Sequence, residues 1–185
     1  MSRRPFGRTG QRVSSIGLGG WHLGVSESDE AAVRLVHTAL GAGINFLDNA
    51  WDYNDGLSEE RMGRAIADRR DQVFLMTKVC THGRDAKVAM RQLEDSLRRL
   101  RTDYLDLWQI HNVREDEHLE SIFRKGGSIE ALTSARDQKM VRYLGITGHY
   151  DPLVLLRAIE RFDFDALLIP INPADRHPLY FLDRW

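Results

Sequence analysis

Ser15-Ile16-Gly17-Leu18-Gly19-Gly20-Trp21-His22 is the stretch whose reading decides the fold. It starts as a short apolar strand and passes into a glycine-rich turn. An open parallel sheet that binds a dinucleotide carries G-x-G-x-x-G at that point, with a helix opening directly on it. Here the spacing is Gly17-x-Gly19-Gly20, and Trp21-His22 stands where the helix should begin. The doubly wound alternative therefore lacks its phosphate cradle. What remains is a parallel sheet closed into a barrel.

The rest of the chain supports such a sheet. Further apolar runs of strand length occupy residues 44–47, 73–77, 105–110, 143–146 and 166–169. Helical stripes separate them. Ala32, Leu35, Val36, Ala39 and Leu40 recur at i, i+3, i+4, i+7 and i+8, on one helix face. Met90, Leu93, Leu97 and Leu100 form a second stripe, with Arg91, Glu94, Asp95 and Arg98 pointing outward. Leu155, Ala158, Ile159 and Phe162 form a third. Ser58-Glu59-Glu60, Asp85 and Asp151-Pro152 read as helix starts, and Gly41 and Gly43 as a left-handed stop. A hairpin of Arg4-Pro5-Phe6 against Gln11-Arg12-Val13 precedes the first strand. Strands apolar on both faces alternating with helices give an α/β fold of (β/α)8 type, with about six of its units present. Such barrels usually need about 250 residues. The 185 residues, running out in the helix-like Pro178-Leu179-Tyr180-Phe181-Leu182, are expected to form one barrel domain that lacks its last quarter.

Composition narrows the partners. Lys and Arg total 26 against 27 Asp and Glu, a net charge of −1. No basic surplus exists for a nucleic-acid backbone. No window approaches the ~18 apolar residues of a membrane span. Ser2-Arg3-Arg4-Pro5-Phe6 is followed by a polar stretch rather than the apolar core of an export signal. Cys80 is the only cysteine, so no internal disulfide can form, which suits a reducing compartment. The expectation is a soluble cytoplasmic protein without nucleic-acid or membrane partners.

Barrel chemistry sits at the C-terminal ends of the strands. The second strand ends in Asp48, the third in Lys78 and the fourth in His111; Tyr53 lies in the loop just beyond Asp48. Singly, each has an ordinary reading: a loop cap, a snorkelling lysine, a hydrogen-bonded core histidine, a packing tyrosine. Val79-Cys80 continues apolar past Lys78, however, which argues that the lysine is held inward. Placed together at consecutive strand ends, the four suit proton transfer to a carbonyl. An ammonium near a phenol lowers its pKa from ~10, a carboxylate anchors the ammonium, and an imidazole orients the carbonyl oxygen.

These segments resemble the aldo-keto reductase family. The resemblance rests on Phe6-Gly7-Arg8-Thr9-Gly10 through Gly20, on Gly43-Ile44-Asn45-Phe46-Leu47-Asp48-Asn49-Ala50-Trp51-Asp52-Tyr53 with Ser58-Glu59, and on Thr77-Lys78. It continues through Leu97-Arg98-Arg99-Leu100, Asp103-Tyr104-Leu105-Asp106-Leu107-Trp108-Gln109-Ile110-His111 and Val141-Arg142-Tyr143-Leu144-Gly145-Ile146-Thr147. It implies a barrel that reduces an aldehyde or ketone with hydride from NADPH, or alternatively from NAD in its reduced form. Asp48, Tyr53, Lys78 and His111 then fill the catalytic tetrad, with Tyr53 as proton donor. Gly20, Trp21, Asp48 and Thr147 are expected at the cofactor. Trp21, His22, Trp51 and Asn112 are expected to line the substrate pocket, whose aromatic walls favour flat or apolar carbonyls. Two departures stand out: Thr147-Gly148-His149 replaces the family's Ser-Asn pair, and Leu168 stands at a position of glutamine. The loops that would hold the cofactor's phosphates are expected to be missing.

Other readings stay open. A truncated relative could bind cofactor weakly without turnover. A metal-dependent hydrolase could draw ligands from His22, Asp48, Asp52, His111, His149 and His177, although no paired histidines stand on one strand. A barrel lacking two strands also has two raw parallel edges, through which copies are expected to self-associate.

Overall fold

The computed structural model describes residues 1–80, 82 and 84–171. The helical expectation over Pro178–Leu182 and the candidate ligand His177 lie outside them. A two-stranded antiparallel hairpin opens the chain, β1 (Arg3–Pro5) against β2 (Arg12–Ser14). Then come β3 (Gly17–Gly19), α1 (Trp21–Gly24), α2 (Asp29–Gly41), β4 (Phe46–Asp48), α3 (Leu57–Ile66), β5 (Phe74–Val79) and α4 (Ala86–Leu100). β6 (Leu105–Ile110), α5 (Asp116–Phe123), α6 (Ser128–Asp137), β7 (Val141–Thr147), α7 (Pro152–Arg161) and β8 (Ala166–Leu168) complete the order. Strands β3 to β8 form one parallel sheet in chain order. The curled sheet with its helices is part of a (β/α)8 barrel. Among the described residues no helix is long and apolar enough to cross a membrane.

Alternation along the strands separates two cores. Leu75, Val79, Trp108, Ile110, Leu144 and Ile146 face the helices and join Val36, Met62, Leu93 and Leu155 in the larger one. Phe74, Met76 and Leu107 face the hollow side and meet Val13 of the hairpin, with Phe6, Phe46, Tyr143 and Leu168 around them. The hairpin thus plugs the bottom of the barrel, and Tyr143 Oη donates to the Thr9 carbonyl at 2.9 Å.

Helix limits follow local chemistry. Asp85 accepts from the amides of Lys87 and Val88, and Asp151 from Leu153 with Pro152 in the first turn, as expected. Gly43 takes the left-handed conformation after α2, at φ +89°. A helix does start at Ser58-Glu59-Glu60, α3 opening at Leu57 with both glutamates in its first turn, but Ser58 does not cap it: its hydroxyl donates to the Gly20 carbonyl at 2.6 Å. Two stripe positions also differ. Leu35 and Ile159 are exposed, because the sheet takes only the centre of each stripe; Val154 is buried beside Leu155 instead.

Candidate active site

The loop after β4 is laid over β5 by two main-chain bonds, Asn49 N to the Met76 carbonyl at 2.9 Å and Trp51 N to the Lys78 carbonyl at 3.1 Å. This carries Tyr53 above Lys78. The chain then reverses through Asn54 and Asp55, both at positive φ, and Gly56 at φ +91°. The positive φ of Gly56 is what favours glycine there; a Cβ would also press on the end of the Arg99 side chain, at 2.4 Å. Arg99 braces the same loop from outside, donating to the Trp51 carbonyl at 2.9 Å and to Glu59 at 3.3 Å. Glu59 is fully buried and also accepts from Thr77 at 2.6 Å. Burial pushes its carboxyl up, against those bonds.

Within this frame the tetrad residues converge. Lys78, almost wholly buried, donates to Asp48 and to the Asn49 carbonyl at 2.7 Å. Its Nζ lies 5.2 Å from the centre of the Tyr53 ring. The Tyr53 ring meets His111 edge-on at 5.8 Å and Trp21 edge-on at 5.4 Å. The phenol departs from the sequence expectation. It is pushed up to about 12 by burial, and further by the carboxylates of Asp48 and Asp52. The ammonium donates to Asp48 and a main-chain carbonyl, and burial with the two carboxylates leaves the phenol raised.

The other candidates scatter. Trp21 is half exposed at the mouth, against Tyr53. His22 is exposed on α1, where its carbonyl accepts from Ser26 Oγ at 3.0 Å. The Trp51 ring packs on the Arg99 guanidinium at 5.2 Å and the His82 ring at 5.7 Å, away from the phenol. Gly20 sits where a Cβ would meet the Asn49 side chain at 2.7 Å. Asn112 is held at φ +52° by its amide donating to Thr147 Oγ1 at 2.8 Å; Thr147 is itself buried. Leu168 packs into the hollow-side core. Among the described residues no three His, Cys, Asp or Glu side chains form a metal-holding group.

Residues 15–179 match the model of the Aldo/keto reductase family. The chain belongs to that family. Aldo-keto reductase YhdN of Bacillus subtilis is 37% identical over 179 residues, covering 89% of this chain and 50% of YhdN. The holo form of aldo-keto reductase AKR11C1 from Bacillus halodurans superposes with a TM-score of 0.82 at 30% identity, over 96% of this chain and 60% of that one. An aldo-keto reductase from Klebsiella pneumoniae in complex with NADPH gives 0.74 at 28% identity, over 87% and 54%. This family member thus spans between half and two thirds of the length of each of these three relatives.

Sequence reasoning missed two residues in this reductase-family site. Arg84, buried after β5, donates to the main-chain carbonyl of His111 at 2.8 Å. Its Nε and Nη1 have no partner, and burial lowers the guanidinium to about 10. No periodicity marks a lone arginine in a loop. Asp52 was read only as a potential metal ligand, although an acid directly before the tyrosine was visible in the sequence.

Proposed function

We propose that the mouth formed by β4, β5 and β6 reduces an aldehyde or ketone to its alcohol, with Tyr53 donating the proton. NADPH is the favoured cofactor and NAD in reduced form the second candidate; when bound, the nicotinamide supplies the hydride. One observation carries the reading: a protonated phenol, a carboxylate-anchored ammonium and an imidazole meet at the strand ends of a chain of this family. The NADPH complex of the Klebsiella relative supports the choice of cofactor.

The residues present suit a nicotinamide. Gln109 Oε1 is a buried acceptor without a partner in the hollow-side layer next to Lys78, fit for a carboxamide N–H. The Thr147 hydroxyl oxygen is occupied by Asn112, which leaves its hydrogen to donate. Gly20, Trp21, Asp48 and Thr147 would hold the ring.

Tyr53 stays protonated across neutral pH because its phenol lies near 12. It can therefore give its proton to a carbonyl oxygen that is gaining negative charge, while a phenolate would be a poor resting state here. Lys78, fixed by Asp48, faces the phenolate that proton transfer leaves. His111 orients the carbonyl oxygen from the opposite side. The half-exposed Trp21 offers a flat apolar wall to the substrate.

A fluorescence titration with NADPH, paired with reduction of an aromatic aldehyde, tests this. Binding with turnover is the expected result. Binding without turnover selects a cofactor-holding protein that does not catalyse.

A further inference from the structure

Asp52 enters the chemistry above only as a charge that helps to raise the Tyr53 phenol. Its Oδ1 lies 3.5 Å from Nδ1 of His111, just beyond hydrogen-bond distance. Both atoms are shut off from solvent, and neither has another hydrogen-bond partner. The other carboxylate oxygen accepts from the Cys80 thiol at 3.7 Å. We propose that Asp52 is the positioning residue of His111, holding a proton on Nδ1 and so deciding when Nε2 carries a hydrogen toward a bound carbonyl.

The argument turns on what can face a buried carboxylate. A neutral imidazole has one N–H and one lone pair. If the hydrogen sat on Nε2, the Nδ1 lone pair would face Oδ1, two acceptors buried against each other with no donor between them. That arrangement forfeits a buried hydrogen bond and adds repulsion. With the hydrogen on Nδ1 the contact becomes a charge-assisted bond, closed by a slight rotation of either side chain. Burial acts to raise the Asp52 carboxyl, yet hydrogen bonding and charge from His111 outweigh it and hold the group below the usual carboxylate range. The anion is thus present across neutral pH.

Among the described residues no other group facing the ring supplies that acceptor. Tyr53 meets it edge-on, and Arg84 donates to its main-chain carbonyl. Lys78 is committed to Asp48 and Asn49. His149, on the loop after β7, is a base lowered by burial first and by the charge of His111 next.

The consequence, which rests on the proposed carbonyl reduction, is specific. With Nδ1–H fixed, neutral His111 presents a bare Nε2, which accepts but cannot donate. Only the imidazolium donates from Nε2 to a carbonyl oxygen. The orienting contact then exists when the ring is doubly protonated and disappears as the ring loses its second proton. Without Asp52, the neutral ring is free to carry its hydrogen on Nε2, and the contact survives.

Nitrogen-15 NMR of the His111 ring in the whole chain reads the proton's place without any activity. The expected result is neutral imidazole with hydrogen on Nδ1 in the parent, redistributed to Nε2 in Asp52→Ala. Asp52→Asn, whose amide can turn an N–H toward Nδ1, should also release hydrogen to Nε2 and, being nearly isosteric, guards against loss through misfolding. Hydrogen on Nε2 in the parent, or no redistribution in Asp52→Ala, overturns the proposal. An Nδ1 hydrogen that moves as expected in a chain reducing no carbonyl leaves the positioning role standing and sinks the reductase reading instead.

Discussion

The two ends of the sheet handle buried polar groups in opposite ways. At the bottom, Asp106 is almost wholly buried and accepts from Arg70 at 2.9 Å, Arg142 at 2.8 Å and the Leu75 amide at 2.9 Å. Asn45 there accepts from Ser14 N at 2.7 Å and donates to the Arg12 carbonyl at 3.1 Å. At the top, Asp52 Oδ1, His111 Nδ1, Gln109 Oε1 and two nitrogens of Arg84 are buried without partners. Folded chains satisfy nearly all such groups, because each orphan costs roughly 1–3 kcal/mol. The bottom therefore holds the fold together. The top keeps unmet donors and acceptors where a ligand can meet them, as the strand ends of barrels do.

If the bottom is structural, breaking it should unfold the chain and leave the chemistry untouched. Asp106→Ala leaves the Arg70 charge without its carboxylate, although Thr102 and the Val73 and Tyr104 carbonyls still accept from it, and removing one partner of a buried pair typically costs about 3–5 kcal/mol. Urea unfolding should show a loss of that size, while the surviving folded fraction keeps its turnover per molecule. A loss under about 1 kcal/mol would erase the contrast.

Lys78→Met probes the opposite end. Carbonyl reduction should fall about a hundredfold, more than any fall in the folded fraction explains. Lys78 also ties the loop to β5, so circular dichroism must accompany the rate. A smaller loss would make the lysine a structural anchor like Arg70.

The exposed rims offer a third test. β3 and β8 are the outer strands of the described sheet, each with one unpaired side. Copies should associate there, and light scattering after size exclusion should find species heavier than the 21.3 kDa chain. A monodisperse monomer would show that the hairpin and loops cover those edges adequately.

Tyr53 gives a subtler reading of the top. Its phenol is raised, so the native state gains from it below the unfolded value of ~10 and loses that gain as pH rises through about 12. An ultraviolet difference titration between parent and Tyr53→Phe should reveal one phenol ionising near 12. One ionising at or below 10 would mean that Lys78 governs it after all. The smallest effect belongs to a cap: Asp85→Ala frees the Lys87 and Val88 amides at the start of α4 and should cost about 1 kcal/mol.

The contrast between the ends also marks what the sequence could reveal. Strand-length runs and strand-end residues located the sheet and brought Asp48, Tyr53, Lys78 and His111 to one mouth, because alternation and chain order are written residue by residue. Pattern could not say that Ser58 is a buried donor to Gly20, since Ser-Glu-Glu looks the same in a cap. Leu35 and Ile159 extend apolar stripes past the width that the sheet covers. The charge around Tyr53 depends on where the Lys78 ammonium points, which is settled by the Asn49 carbonyl, a main-chain atom with no trace in the residue types. Arg84 escaped notice, and Asp52 was read only as a possible metal ligand, because their partners come from other segments of the chain.

The central claim is that Tyr53 is the proton donor of a nicotinamide-dependent carbonyl reduction at this mouth. The most direct measurement is NADPH oxidation with an aromatic aldehyde by Tyr53→Phe beside the parent, with NADPH binding followed in the same samples. The account predicts a loss of at least about a hundredfold in turnover, with binding nearly unchanged. Turnover within about tenfold of the parent would contradict it.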